Sequence, residues 1–287
     1  MSTYPGPFVQ LDSEPSLKAP VLIAAFEGWN DAGDAASIAA RYLRDSWGGD
    51  PLGAIDPEEF YDFSTTRPWV TIGEDRKRRI DWPETHLWSG SIDSERDAIV
   101  VLGSEPQLRW RTFCQQVLSV ADRFEVERVI TLGALLTDAP HSRPTPVFGS
   151  SDNLEVAEEF GLEVSQYEGP TGIVGILNAE CSQAGLDVMS LWAAVPSYLP
   201  GVASPKAAKA LVDRLSPILN TVVDTADLDA GATAYVRQAD ALVAEDDDTA
   251  NYVIQLEEHH DAEDGLSQVD PQAMVAELEQ FLKNQES

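Results

Sequence analysis

Positive charge is what this sequence has least of for its size: 19 lysines and arginines stand against 49 aspartates and glutamates, a formal net charge of −30. So acidic a surface repels phosphate backbones and anionic lipid, which excludes nucleic acid and membrane from the expected partners. It favours solubility or basic protein surfaces, and a salt-adapted, acidic proteome gives the same balance. Cysteine is scarcer still. Cys114 and Cys181 are the two in 287 residues, and each lies on the apolar side of a helical pattern, so they read as buried small hydrophobes rather than a disulfide or a metal pair. His86, His259 and His260 lack partners at metal-ligand spacing, and neither a GxSxG elbow nor a GxGxxG turn occurs. No metal and no cofactor is expected. No apolar stretch reaches the ~18–20 residues that span a bilayer. The opening MSTYPGPFVQLDSEP lacks a basic segment followed by an apolar one, so a cytoplasmic location is expected.

A hydrophobic fraction of 43% is enough for an ordinary core. The rest of the chain is organised around Val21–Ser37, VLIAAFEGWNDAGDAAS. Val21–Phe26 is a continuous apolar run, the pattern of a central parallel strand buried on both faces. Gly28 and Gly33 turn the chain, Asp31 or Asp34 caps the next helix, and Ala35, Ile38, Ala39, Tyr42 and Leu43 repeat at helical spacing. Trp47–Pro57 reads as a glycine- and proline-rich loop. Phe60–Ser64, Trp69–Ile72 and Arg78–Trp82 then have strand character around a Gly73–Lys77 turn, a small antiparallel excursion over about residues 56–92. It holds the basic cluster Arg76–Arg79 among Trp69, Trp82 and Trp88, which reads as a solvated face or a contact with an acidic neighbour rather than a site for single-stranded nucleic acid.

The α/β rhythm resumes with a strand at Ala98–Leu102, a helix with Pro106 in its first turn and Phe113, Val117, Val120, Ala121 and Phe124 inward, and a strand at Arg128–Leu136. After the proline-stiffened loop Thr137–Pro146, Val164–Glu168 reads as a strand. Gly169–Gly175 reads as a turn into a helix, with Thr171 as its cap and Ile173, Ile176, Leu177 and Ala184 inward. Val188–Val195 is a further strand, and Ser204 and Pro205 open another helix. The fold class is therefore α/β, a three-layer α/β/α sandwich with a mostly parallel sheet in residues 1–223. Residues 224–287 differ. They carry 17 acidic against 2 basic residues and read as a C-terminal helical appendage, with helices around Ala232–Ala244, Thr249–His259 and Pro271–Leu282.

In open α/β sheets ligands collect beyond the carboxyl ends of the parallel strands. The loops there offer Glu27, Asn30, Asp31, Asp34, Glu105, Asp138, His141, Arg143 and Thr171, material for a polar pocket. Close carboxylates at Glu27, Asp31 and Asp34 could hold a hard cation or supply acid and base, although helix capping and a strand terminus account for them as simply. His141 and Arg143 form the best anion-binding pair, and an exposed loop without a role explains them nearly as well. No catalytic residue is assigned. Seven tryptophans, several of them in loops, point to an oligomer.

Five segments in order, AAFEGWNDAGDAAS, GSEPQLRWRTF, GALLTDAPHSRP, GPTGIVGILN and LWAAVPSYL, resemble the actinobacterial branch of the proteasome assembly chaperone 2 family. The likeness covers about Pro20 to Asn220 and runs on into the C-terminal helices. It implies a phosphorylase/hydrolase-like three-layer core, self-association with a trimer among the forms, and proteasome α-type subunits as partners. Relatives of this kind can dock by a C-terminal hydrophobic-Tyr-X tail, which Asn284, Gln285, Glu286 and Ser287 do not match. The expectation is a non-enzymatic, homo-oligomeric assembly or interaction protein. The alternative is a phosphorylase- or hydrolase-type enzyme acting on a small molecule at the strand-end loops.

Overall fold

A computed structural model describes residues 6–73, 75–165 and 167–267. The first half of the chain forms β1 (Val9–Leu11), β2 (Val21–Glu27), α1 (Ala35–Ser46), β3 (Asp50–Ile55), β4 (Trp69–Ile72), β5 (Arg78–Asp81), β6 (Thr85–Ser91), β7 (Asp97–Ser104), α2 (Trp110–Arg123) and β8 (Arg128–Thr137). The second half forms β9 (Val147–Ser150), α3 (Leu154–Phe160), α4 (Ile173–Gln183), β10 (Asp187–Pro196), α5 (Pro205–Ile218), α6 (Ala226–Val243) and α7 (Asp247–Ser267). Eight strands make one sheet in the order β1-β3-β6-β7-β2-β8-β10-β9, and β4 and β5 pair apart from it. The four central strands, β7, β2, β8 and β10, run parallel.

The apolar run of β2 has the expected cause. Val21, Ile23 and Ala25 face α1 and α5, whereas Leu22, Ala24 and Phe26 face α2 and α4. Alternate side chains thus enter two different cores, and both must be apolar. Phe26, Phe113 and Phe60 stack edge to face in the second core, at centroid distances of 5.7 and 5.4 Å. Cys114 and Cys181 are buried and free, and burial raises both thiols to about 12. Among the described residues no helix is long and apolar enough to cross a membrane.

Several local expectations need correction. Asp50–Ile55 is a strand, not a loop: Gly53 lies so close to β1 that a Cβ there would sit 2.2 Å from the Gln10 carbonyl oxygen, so glycine here permits pairing. Phe60–Ser64 forms turns instead of a strand, with Phe60 and Tyr61 buried and the Phe60 carbonyl accepting the amides of Gln107 and Leu108. That pinning keeps Pro106 outside α2, which starts at Trp110 after Arg109 in a left-handed conformation. The described residues of Val164–Glu168 form no strand, because β9 pairs with β10 there and leaves Glu163 one isolated bridge to Ser150. Ala184 is exposed. Of the three C-terminal helices, two are present as α6 and α7, both longer than expected, and Pro271–Leu282 lies outside the described residues.

Candidate functional site

The turn after β2 is built by hydrogen bonds of its own polar side chains. Asp31 makes a parallel bridge to Ala134, and its Oδ1 accepts the amides of Ala36 at 2.7 Å and Ser37 at 3.2 Å, so Asp31 caps α1. Asp34 does not: it is left-handed (φ 52°), exposed, and makes no side-chain cap. Asp31 is 4% exposed and its Oδ2 has no partner among the described residues. Burial pushes its carboxyl above the usual range, and the bonds from Ser37 and Ala36 pull the other way.

Beside it, buried Asn30 donates from Nδ2 to Glu105 Oε1 at 2.7 Å, and the same oxygen accepts the Ile173 amide at 2.9 Å. Glu105 therefore caps α4 from the loop after β7, where the helix dipole favours a carboxylate. Thr171, expected in that role, is exposed and lies one residue before the capping position, which Gly172 occupies. Any side chain at Gly172 would collide with Asn30, its Cβ 2.4 Å from Oδ1. Glu27 pairs with Arg41 of α1.

A wide, open cleft of about 1750 Å³ runs past this cluster, lined by Trp29, Asn30, Asp31, Asp34 and Thr171, with Ser190 and Trp192 of β10 and Asn178 of α4 deeper in. Exposed Leu136, Phe148, Val164 and Tyr167 add an apolar rim. Four of the nine candidate residues thus share one cleft, and Glu27 adjoins its loop.

Asp138, His141 and Arg143 do not line it. His141 is 3% exposed, and its amide and Nδ1 each lie 2.8 Å from the Tyr198 hydroxyl, while Nε2 lies 3.1 Å from Asp240 Oδ1 of α6. A tyrosine hydroxyl that accepts the amide and donates to Nδ1 leaves Nε2–H to donate to Asp240. Arg143 forks onto Asp261 of α7, with two bonds of 2.7 Å, holding that carboxyl below its ordinary range. The Lys206 amine donates to the carbonyls of His141 and Arg143, and burial with the nearby guanidinium brings it down to about 8. Asp138 accepts from the Ser197 hydroxyl at 3.1 Å. This loop grips the acidic helices through the His141 ring on α6 and the Arg143 guanidinium on α7. Sequence reasoning missed Arg41, Tyr198, Lys206, Asp240 and Asp261; the one available signal was charge, an arginine in this loop of a chain whose helices beyond residue 224 are acidic.

A model of the PAC2 family matches residues 25–243, from β2 to the end of α6. The chain belongs to the PAC2 family. The resemblance carried by the five sequence segments, to proteasome assembly chaperone 2 proteins, is thereby borne out, as is the α/β sandwich with its C-terminal helices. Among solved structures, a PAC2 family protein from Streptomyces avermitilis MA is 44% identical, covers 82% of this chain and 99% of its own, and superposes with a TM-score of 0.77. A proteasome-assembly chaperone homologue of Mycobacterium tuberculosis is 43% identical over 81% of this chain and 99% of its own, with a TM-score of 0.74. An archaeal proteasome activator from Pyrococcus furiosus shares the fold at 18% identity, 82% and 97% coverage and a TM-score of 0.66. No curated protein matches.

Proposed function

We propose that this protein is a cytoplasmic, homo-oligomeric assembly or interaction protein of the proteasome-assembly-chaperone kind, not an enzyme, and that it engages proteasome α-type subunits. The reading is carried by its 43% identity to a protein described as a proteasome-assembly chaperone homologue. The site supports it. Polar groups at the strand ends are mostly spent on holding the chain: Asn30 and Glu105 on α4, Asp31 on α1, Glu27 on Arg41. What the cleft leaves outward is wide and rimmed by Trp29, Phe148 and Tyr167, a surface suited to protein contact. Residues 224–287 serve in this reading as a separable acidic accessory to the core.

The test is to mix the purified chain with α-type proteasome subunits and follow co-elution and the rate of ring formation. A stable complex and faster assembly are expected; separate elution with an unchanged rate overturns the reading. One observation favours a small-molecule enzyme instead, the Oδ2 of Asp31 at the cleft, which has no partner among the described residues. An enzyme loses turnover in Asp31→Asn at unchanged fold, whereas an interaction protein keeps its partner binding.

A further inference from the structure

The β4–β5 hairpin is the one sheet that stands outside the main sheet among the described residues, and all eight of its strand residues are exposed. Its hold on the body includes the Trp82 ring packed 4.9 Å from that of Phe63. Register puts Val70 opposite Ile80 and Ile72 opposite Arg78, so Val70, Ile72 and Ile80 share one face at 58, 71 and 55% exposure. Trp69, 77% exposed, stands on the other. A two-stranded hairpin with both faces wet is marginal by itself, and so much uncovered apolar area marks a contact surface.

Charge says what covers it. Residues 69–82 sum to +1 in a chain of −30, through four successive cations, Arg76, Lys77, Arg78 and Arg79. Asp75 stands 4.0 Å from Lys77 and from Arg79, and Arg76 and Arg78 have no ion pair among the described residues. The complementary surface is in the same sequence. The turn between α6 and α7 presents Glu245, Asp246, Asp247 and Asp248, all exposed, with exposed Leu242 before it and exposed Ile254 after it. Four cations beside an apolar face match four carboxylates beside exposed leucine and isoleucine.

We propose that the β4–β5 hairpin of one copy docks on the α6–α7 turn of a second copy. This rests on the reading of the protein as a homo-oligomer and names its interface. The contact joins two different patches, so it closes as a ring, or twice over about a twofold axis. Being built on exposed charges, it weakens with salt.

The experiment is light scattering on the full chain at micromolar concentration and two salt concentrations. It compares wild type, R78E/R79E, D247K/D248K, a chain carrying all four changes, and an equimolar mixture of the two double variants. Asp246 is spared because its carboxylate accepts the Thr249 amide at 2.8 Å. Wild type should exceed the 31.2 kDa of one chain. Each double variant should need roughly tenfold or more protein to associate, and both the mixture and the four-change chain should recover association. Circular dichroism confirms that each variant is folded. If one misfolds, Arg78→Gln with Arg79→Gln carries the test through a shallower salt response, and an unchanged response counts against docking. Wild type at 31.2 kDa throughout defeats the oligomer reading and the docking with it. An oligomeric wild type whose folded double variants associate as tightly defeats the docking alone. So does a labelled single-stranded oligonucleotide that binds wild type, is lost in R78E/R79E, and leaves the mass unaffected by the substitutions.

Discussion

Strands β2 and β4 are both rich in large apolar residues, yet one is buried on two faces and the other exposed on two. In β2 each apolar side chain meets a helix layer of the same chain, so its stability is settled internally. In β4 nothing among the described residues covers Trp69, Val70 or Ile72, and in the proposed docking the same composition has its use outside the molecule. An apolar strand is thus evidence of a core or of an interface according to whether its own chain supplies the cover.

Paired truncations break this contrast most strongly. Phe26→Ala should cost about 3–5 kcal/mol in urea unfolding, whereas Trp69→Ala should stay within ~0.5 kcal/mol for the monomer and weaken association instead. Equal destabilisation by the two would erase the distinction.

A second contrast is between the core and the acidic helices. Removing residues 224–287 should retain the core's circular dichroism but expose Leu199, Tyr198 and Val202, which pack against Tyr235, Val236 and Ala239, and the product should aggregate. An unfolded product would make the helices integral to the core.

Within the strand-end turn, Asp31→Ala should cost about 1 kcal/mol as a lost cap. Asp34→Ala should cost less, since Asp34 caps nothing. Thermal melts of the two variants rank them.

Lys206 sharpens the picture through pH. Its folded pKa of about 8 lies below the ordinary 10.5, so the unfolded chain binds more protons between those values. Its contribution to stability is therefore present above pH 10.5, and is lost as pH falls through about 8. Wild type should gain stability relative to Lys206→Met as pH rises across that window, and parallel profiles would contradict this.

The smallest effect is that of salt. Residues 224–287 carry 17 acidic against 2 basic residues, and screening their mutual repulsion should raise the unfolding midpoint slightly. An unchanged midpoint would show that pairs such as Arg143–Asp261 already balance it.

The doubly buried strands were legible because burial on both faces leaves an unbroken apolar run, as in Val21–Phe26. β3 was not, since Pro51 and Gly53 imitate a loop until β1 lies beside them. Val164–Glu168 had strand composition but lost its pairing place to β9, a competition that composition does not record. At the candidate site the Asp31 cap lay within six residues and could be read locally, whereas Glu105 reaches α4 across 68 residues. His141 and Arg143 resembled an anion site because their partners, Asp240 and Asp261, are 99 and 118 residues away.

Hydrogen exchange of the β4–β5 amides, followed at concentrations below and above association, tests most directly whether this exposed hairpin is completed by a second copy. Protection of Val70, Ile72, Arg78 and Ile80 should appear with association and vanish on dilution, while Ile23 and Ile130 stay protected throughout. Hairpin exchange that is the same at every concentration, in a chain that does associate, would contradict the account.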